Sequence, residues 1–232
     1  CSSLLLEGVH RDLGSRWFHD IDVLTRAADR ARVDEVLRAG GYVPAGFGES
    51  PKHLPPYVKG RMFVEVHEFA YWNADGGRMD LDRWLKVEPS LAATAVHLLH
   101  HLHRSTPPDP SIALKTLWDF HELERAAFTP WREIRELALR AGLAGELDEI
   151  RAALATLRAG QPIDGPAGAI LSACRVPDAE TMRARELSYQ ARILREAPLW
   201  YAASHLRSLV FPARASLERR YRLKKGSPLA FA

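Results

Sequence analysis

The spacing of apolar residues changes character along the chain. Up to about residue 75, strand-like and helix-like patterns alternate. "DIDVLT", residues 20–25, alternates polar and apolar positions with period two and predicts a strand. "DRARVDEVLRAGGY", residues 29–42, predicts a helix. Asp29 stands at its N-cap position, Val33, Val36 and Leu37 form an apolar stripe, and Gly40-Gly41 ends it. "RMFVEVHEFAYW", residues 61–72, predicts a second strand behind the turn "VKG". From about residue 88 the spacing is helical. Helices are predicted over 89–104, 111–127, 129–142, 143–160, 178–197 and 199–209, interrupted by "STPPDP" and the loop "GQPIDGPAGA". The third of these starts with Thr129 as N-cap, Pro130 at the first helical position and Glu133 close behind, and stops at Gly142. The pattern predicts an α+β fold: a small α/β unit in residues 1–87, then an all-helical part in residues 88–232. No internal repeat is visible.

Composition narrows the class. The 232 residues can bury a sizeable core, and the 47% apolar and 26% charged fractions are those of an ordinary globular protein. The net charge is +3 and the pI about 9.0, with acids and bases mixed along most of the chain. A nucleic-acid face needs clustered cations, so nucleic acid is not an expected partner. The nearest cluster is "RASLERRYRLKK", residues 214–225, which reads as a solvated basic helix end or as a surface for an acidic partner. Cys1 and Cys174 form no CxxC and no spaced framework, which fits free thiols in a reducing, cytoplasmic setting. No apolar run approaches the ~20 residues of a membrane helix. "CSSLLLEG" is too short and lacks the basic start of a signal peptide. The chain opens on Cys1 rather than Met, so its natural start is expected upstream.

The chemistry centres on the first strand. In a strand, residues i and i+2 point to one side, about 6.6–6.8 Å apart. Asp20 and Asp22 therefore share one face, and Ile21 and Val23 share the other, where they can pack under the 29–39 helix. Two carboxylates this close repel unless a positive charge stands between them. Hard oxygen ligands of this kind suit Mg²⁺ or Mn²⁺. Acids on a plain solvent-facing strand are the alternative. The second strand offers a third carboxylate. If Val64 and Val66 face the same core as Ile21 and Val23, then Glu65 and His67 face the side of the acids; Glu68 takes that place if the assignment is inverted.

These pieces resemble a known family. "LLEG" (5–8), "RWFHDIDVLT" (16–25), "AGGY" (39–42) and "VEVH" (64–67), followed by "AVHLLHHLH", "LKTLWDFHEL" and "PWREIRELALRAGL", are similar to the bacterial uncharacterised nucleotidyltransferase family, within the superfamily of the DNA polymerase β-like fold. The resemblance covers most of residues 4–160. It implies a small mixed-sheet nucleotidyltransferase domain followed by an all-helical domain. It also implies metal-dependent transfer of a nucleoside monophosphate from a nucleoside triphosphate to an acceptor, a small molecule or protein left unspecified. Asp20 and Asp22 would be metal ligands, and Glu65 the third ligand or the base. Gly8, twelve residues before Asp20, would belong to the loop that cradles the triphosphate. The chain departs from the family there: Val9 follows Gly8, and Glu7 stands where the family has Lys. Gly14-Ser15 has the usual residues but sits too close to Asp20. A catalytically inactive relative serving as a regulatory or antitoxin-like partner is the alternative reading.

Other residues carry two readings each. Arg16 is placed to contact a phosphate or to brace the acids, and His67 to contact substrate or metal or to make a structural hydrogen bond. Lys52 and His53 lie on a loop that could reach over a triphosphate or simply face solvent. His97 and His101 share a helix face, with His100 beside them and Asp119 and His121 on the next helix. A His/Asp metal hydrolase is the sharper reading of these; a histidine donating to Asp119 at a helix interface is the favoured one. Trp118, Trp131 and Trp200 read as core or interface aromatics.

Overall fold

The computed structural model describes residues 8–10, 20–45, 54–87, 90–105, 110–160, 187 and 190–210. The architecture is the expected one, a small mixed sheet followed by helices. Strand β1 (Asp20–Leu24) leads through a short 3₁₀ turn into helix α1 (Arg30–Ala39). Three strands follow: β2 (Val43–Pro44), β3 (Tyr57–Lys59) and β4 (Met62–His67). The sheet order is β1-β4-β3-β2, with β1 and β4 parallel and the other pairs antiparallel. Putting β1 beside β4 makes α1 a crossover helix, which must then cover one face of the sheet.

The packing follows the period-two reading closely. Tyr57, Val64 and Val66 are buried against Val23, with Val33 and Leu37 of α1 above them. Ile21 departs from expectation: it is 38% exposed, and α1 reaches Val23 but not the residue two positions earlier. Val36 is likewise exposed. Asp29 holds the N-cap position of α1 without a side-chain cap; its carboxylate lies 3.8 Å from Arg26 instead. Tyr57 anchors α1 from below by donating to Asp34 Oδ1 at 2.5 Å. Burial first, and Asp34 second, push the Tyr57 phenol up to about 12.

The predicted second strand breaks in two. After β4 the chain bends at Glu68, and β5 (Phe69–Trp72) pairs antiparallel with β6 (Arg78–Asp80) as a separate two-stranded sheet. All four residues of β5 are buried, so no alternation marks it off in sequence. Helix α2 (Leu81–Trp84) follows, capped by Asp80, whose carboxylate accepts from the Arg83 N–H.

Helices α3 (Ser90–His100), α4 (Pro110–Arg125), α5 (Trp131–Ala141), α6 (Ala144–Arg158) and α7 (Leu199–Val210) complete the described fold. α3 is nearly all apolar and runs buried through the centre, then loosens into a π-helical turn over His101–Ser105. α5 ends at Gly142 in the left-handed conformation, as predicted. Thr129 does not cap it; its hydroxyl donates to the Leu123 carbonyl at 2.6 Å, and Pro130 takes the cap position. The main core joins α3–α6 to Ala70, Tyr71 and Met79 of the two-stranded sheet, so it runs across the expected division at residue 87. Phe69 and Trp72 form a second cluster with Ile193 and Tyr201. Among the described residues, no helix is long and apolar enough to cross a membrane.

Candidate active site on the open face of the sheet

The parallel register fixes the site. Asp20 lies opposite Phe63, Asp22 opposite Glu65 and Leu24 opposite His67. Residues opposite each other in a sheet share a face, so Asp20, Asp22, Glu65 and His67 all stand on the side away from α1. Glu68 goes the other way and pairs with Arg30 of α1 at 2.8 Å. The choice between Glu65 and Glu68 is thereby decided in favour of Glu65 for this face.

Three of these side chains converge. His67 Nε2 lies 2.9 Å from Asp22 Oδ1 and 3.6 Å from Glu65 Oε2. One ligand atom from each of Asp22, Glu65 and His67 falls within 4.8 Å of the other two. Asp20 shares the face but stands outside that trio, one strand repeat further along and exposed. The burial is graded: the His67 side chain is 10% exposed, Glu65 29% and Asp22 43%. The imidazole forms the floor and the carboxylates form the rim. The ladder continues past the strand end, where the Thr25 N–H donates to the His67 carbonyl at 2.9 Å.

The donor set is two carboxylates and one imidazole. Carboxylate oxygens suit Mg²⁺ and Mn²⁺, and an imidazole nitrogen suits later transition ions. The residues present therefore fit a divalent cation. Among the described residues this is the one such trio of potential ligands. The α3 histidines form no second cluster of that kind. His97 Nδ1 meets the Ala70 carbonyl at 3.1 Å, and His100 packs edge-on against Trp72. Asp119 does pair with a histidine inside the fold: His10, from the early turn, meets its Oδ1 at 2.8 Å.

Gly8 is exposed in an early turn, with φ +75°; its conformation favours glycine. Arg16, Gly14, Ser15, Lys52 and His53 lie outside the described residues. Of the tryptophans, Trp131 lies under Arg151 and Trp200 packs edge-on against Phe69, whereas Trp118 is half-exposed. Trp118 lines a groove of about 360 Å³ between α4 and α6 with Leu114, Leu117 and Leu157. That groove is apolar and holds no carboxylate, so the chemistry belongs to the sheet face.

A mixed sheet that presents two carboxylates and an imidazole from adjacent parallel strands on an open face makes a candidate site for a divalent cation. The family agrees: the model for the uncharacterised nucleotidyltransferase family matches residues 3–157, and the chain belongs to that family. Neither a curated protein nor a solved structure matches the chain.

Proposed function

We propose that the protein transfers a nucleoside monophosphate from a nucleoside triphosphate to the hydroxyl of an acceptor, a small molecule or protein. The register that sets Asp22 opposite Glu65, with His67 between their carboxylates, carries this reading. Asp20 and Asp22 serve as metal ligands and Glu65 as third ligand or base. A bound Mg²⁺ or Mn²⁺ would neutralise the phosphates and make the acceptor hydroxyl more acidic. His67 holds the Asp22 carboxylate in place through its 2.9 Å contact. Glu65 takes the acceptor's proton as the oxygen bonds to the α-phosphorus. The bond to the β-phosphate oxygen breaks, and pyrophosphate leaves with that electron pair. Catalysis of this kind rests mainly on positioning and charge. Gly8 presents backbone N–H groups to the triphosphate, and Arg16 meets a phosphate. Residues 1–87 supply the nucleotidyltransferase unit, and residues 88–232 form the other wall of the cleft.

One observation favours a second reading. Glu7, directly before Gly8, repels a triphosphate where the family has Lys. It would suit an inactive family member that binds a partner instead. Incubation with each α-labelled nucleoside triphosphate and Mn²⁺ separates the two. Pyrophosphate release or labelled product, lost in Asp22→Asn and Glu65→Gln, is the expected result. Triphosphate binding without release supports the inactive reading; equal release by wild type and variants contradicts the proposed site.

A further inference from the structure

The turn at residues 8–10 faces two ways. Gly8 is exposed, and no atom lies within 4 Å of where a Cβ would stand. Val9 and His10 are buried, Val9 within the main core. His10 Nε2 donates to Asp119 Oδ1 on α4 at 2.8 Å, across 109 positions of sequence. Neither side chain has any exposed surface. Asp119 sits among the buried α4 residues Thr116, Leu117, Phe120 and Leu123.

Stability alone does not call for such a pair. Apolar residues of similar volume often hold a buried position as well or better. A hydrogen-bonded buried pair adds direction, because its energy depends on orientation as well as distance. Here the direction fixes a turn whose outward glycine leaves the backbone open. Leu24, opposite His67 in the β1–β4 register, packs on the same core as Val9. The turn and the strand end beside the acid cluster are thus seated on one body.

We propose that the His10–Asp119 pair is a positioning device for triphosphate binding. It holds the Gly8–Val9 backbone in the pose that meets the phosphates, so that α4 sets nucleotide affinity without touching the nucleotide. The proposal rests on the nucleotidyl-transfer reading given above.

The test measures two affinities on the full chain: a non-hydrolysable nucleoside triphosphate by calorimetry and Mn²⁺ by electron paramagnetic resonance. The variants are His10→Ala, Asp119→Ala, Asp119→Asn and, as a core control, Leu147→Ala. Leu147 is buried in the same core, so its truncation lowers Tm without removing the tether. The two tether-breaking alanine variants should bind triphosphate about 10- to 100-fold more weakly, the usual cost of losing an outer positioning group. Their Mn²⁺ affinity should not change. Asp119→Asn keeps an acceptor oxygen and should recover most of the loss, and Leu147→Ala should alter neither affinity. Unchanged triphosphate affinity in the tether variants, or an equal loss in Leu147→Ala, overturns the positioning role and leaves the transfer reading standing. A wild-type protein that binds no triphosphate overturns both. Should the alanine variants fail to fold, amide exchange on the wild type decides: triphosphate must slow exchange at residues 8–10, and no slowing there overturns the proposal.

Discussion

Two His–Asp pairs of nearly identical length occupy opposite environments. His67 meets Asp22 at 2.9 Å on the open sheet face, and His10 meets Asp119 at 2.8 Å with no exposed side-chain surface on either partner. Distance therefore does not distinguish the proposed site from a structural pair. Surroundings do. Around His67 a second carboxylate, Glu65, approaches to 3.6 Å, so two acids share one imidazole at the edge of solvent. Close carboxylates of this kind suit a cation. Around His10 the pairing with Asp119 is enclosed by buried apolar side chains. That pair can fix geometry, and solvent cannot reach it to exchange ligands.

The contrast breaks most visibly at the open pair. Glu65→Gln should lower nucleotidyl transfer by about 10²–10⁴-fold, the range for losing a positioned acid–base group, and Asp22→Asn should lower it as well by removing a metal ligand. Both residues lie at the rim, so Tm should stay close to wild type in a metal-free thermal melt. A large joint loss of activity and stability would erase the distinction between the pairs.

The sealed pair should respond in the opposite way. Asp119→Ala leaves a buried histidine without its carboxylate, and urea unfolding should show a loss of about 3–5 kcal/mol. Asp22→Asn, measured without metal, changes the exposed member of the other pair and should cost only about 0–1 kcal/mol. The reverse order would break the comparison.

Metal sharpens it further. Mn²⁺ at a hundred times its dissociation constant should stabilise the wild type by about 2.7 kcal/mol, and Asp22→Asn should lose that gain. Asp119→Asn should keep it. The smallest effect tests the scaffold beneath the site. Tyr57 keeps its proton up to about pH 12, whereas the unfolded chain loses it near 10.0. The folded state thus binds more protons in that window, and stability must fall as pH rises through it. Tyr57→Phe should flatten that fall in urea titrations between the two values.

Much of the open site was legible because strand parity is strict. Asp20 and Asp22 on one side, Val64 and Val66 on the other, left Glu65 and His67 only one face to occupy. The family motifs pointed to the same residues. Parity says which side a residue faces, but not how far along it lies, and so it did not separate Asp20 from the Asp22–Glu65–His67 trio. It also failed at Ile21, where the covering helix stops short. The break between β4 and β5 was hidden because β5 is buried on both faces and shows no alternation. The His10–Asp119 tether was hidden for another reason. Its partners are 109 positions apart, and no local pattern links them. Asp119 was expected to take a histidine; that the donor comes from the turn beside Gly8 is a tertiary fact.

Mn²⁺ binding to the metal-free protein, followed by electron paramagnetic resonance, is the most direct measurement. Saturable binding should occur in the wild type, persist in Asp119→Asn, and vanish in Asp22→Asn combined with Glu65→Gln. Undiminished Mn²⁺ binding in that double variant would contradict the assignment of the open sheet face as the cation site.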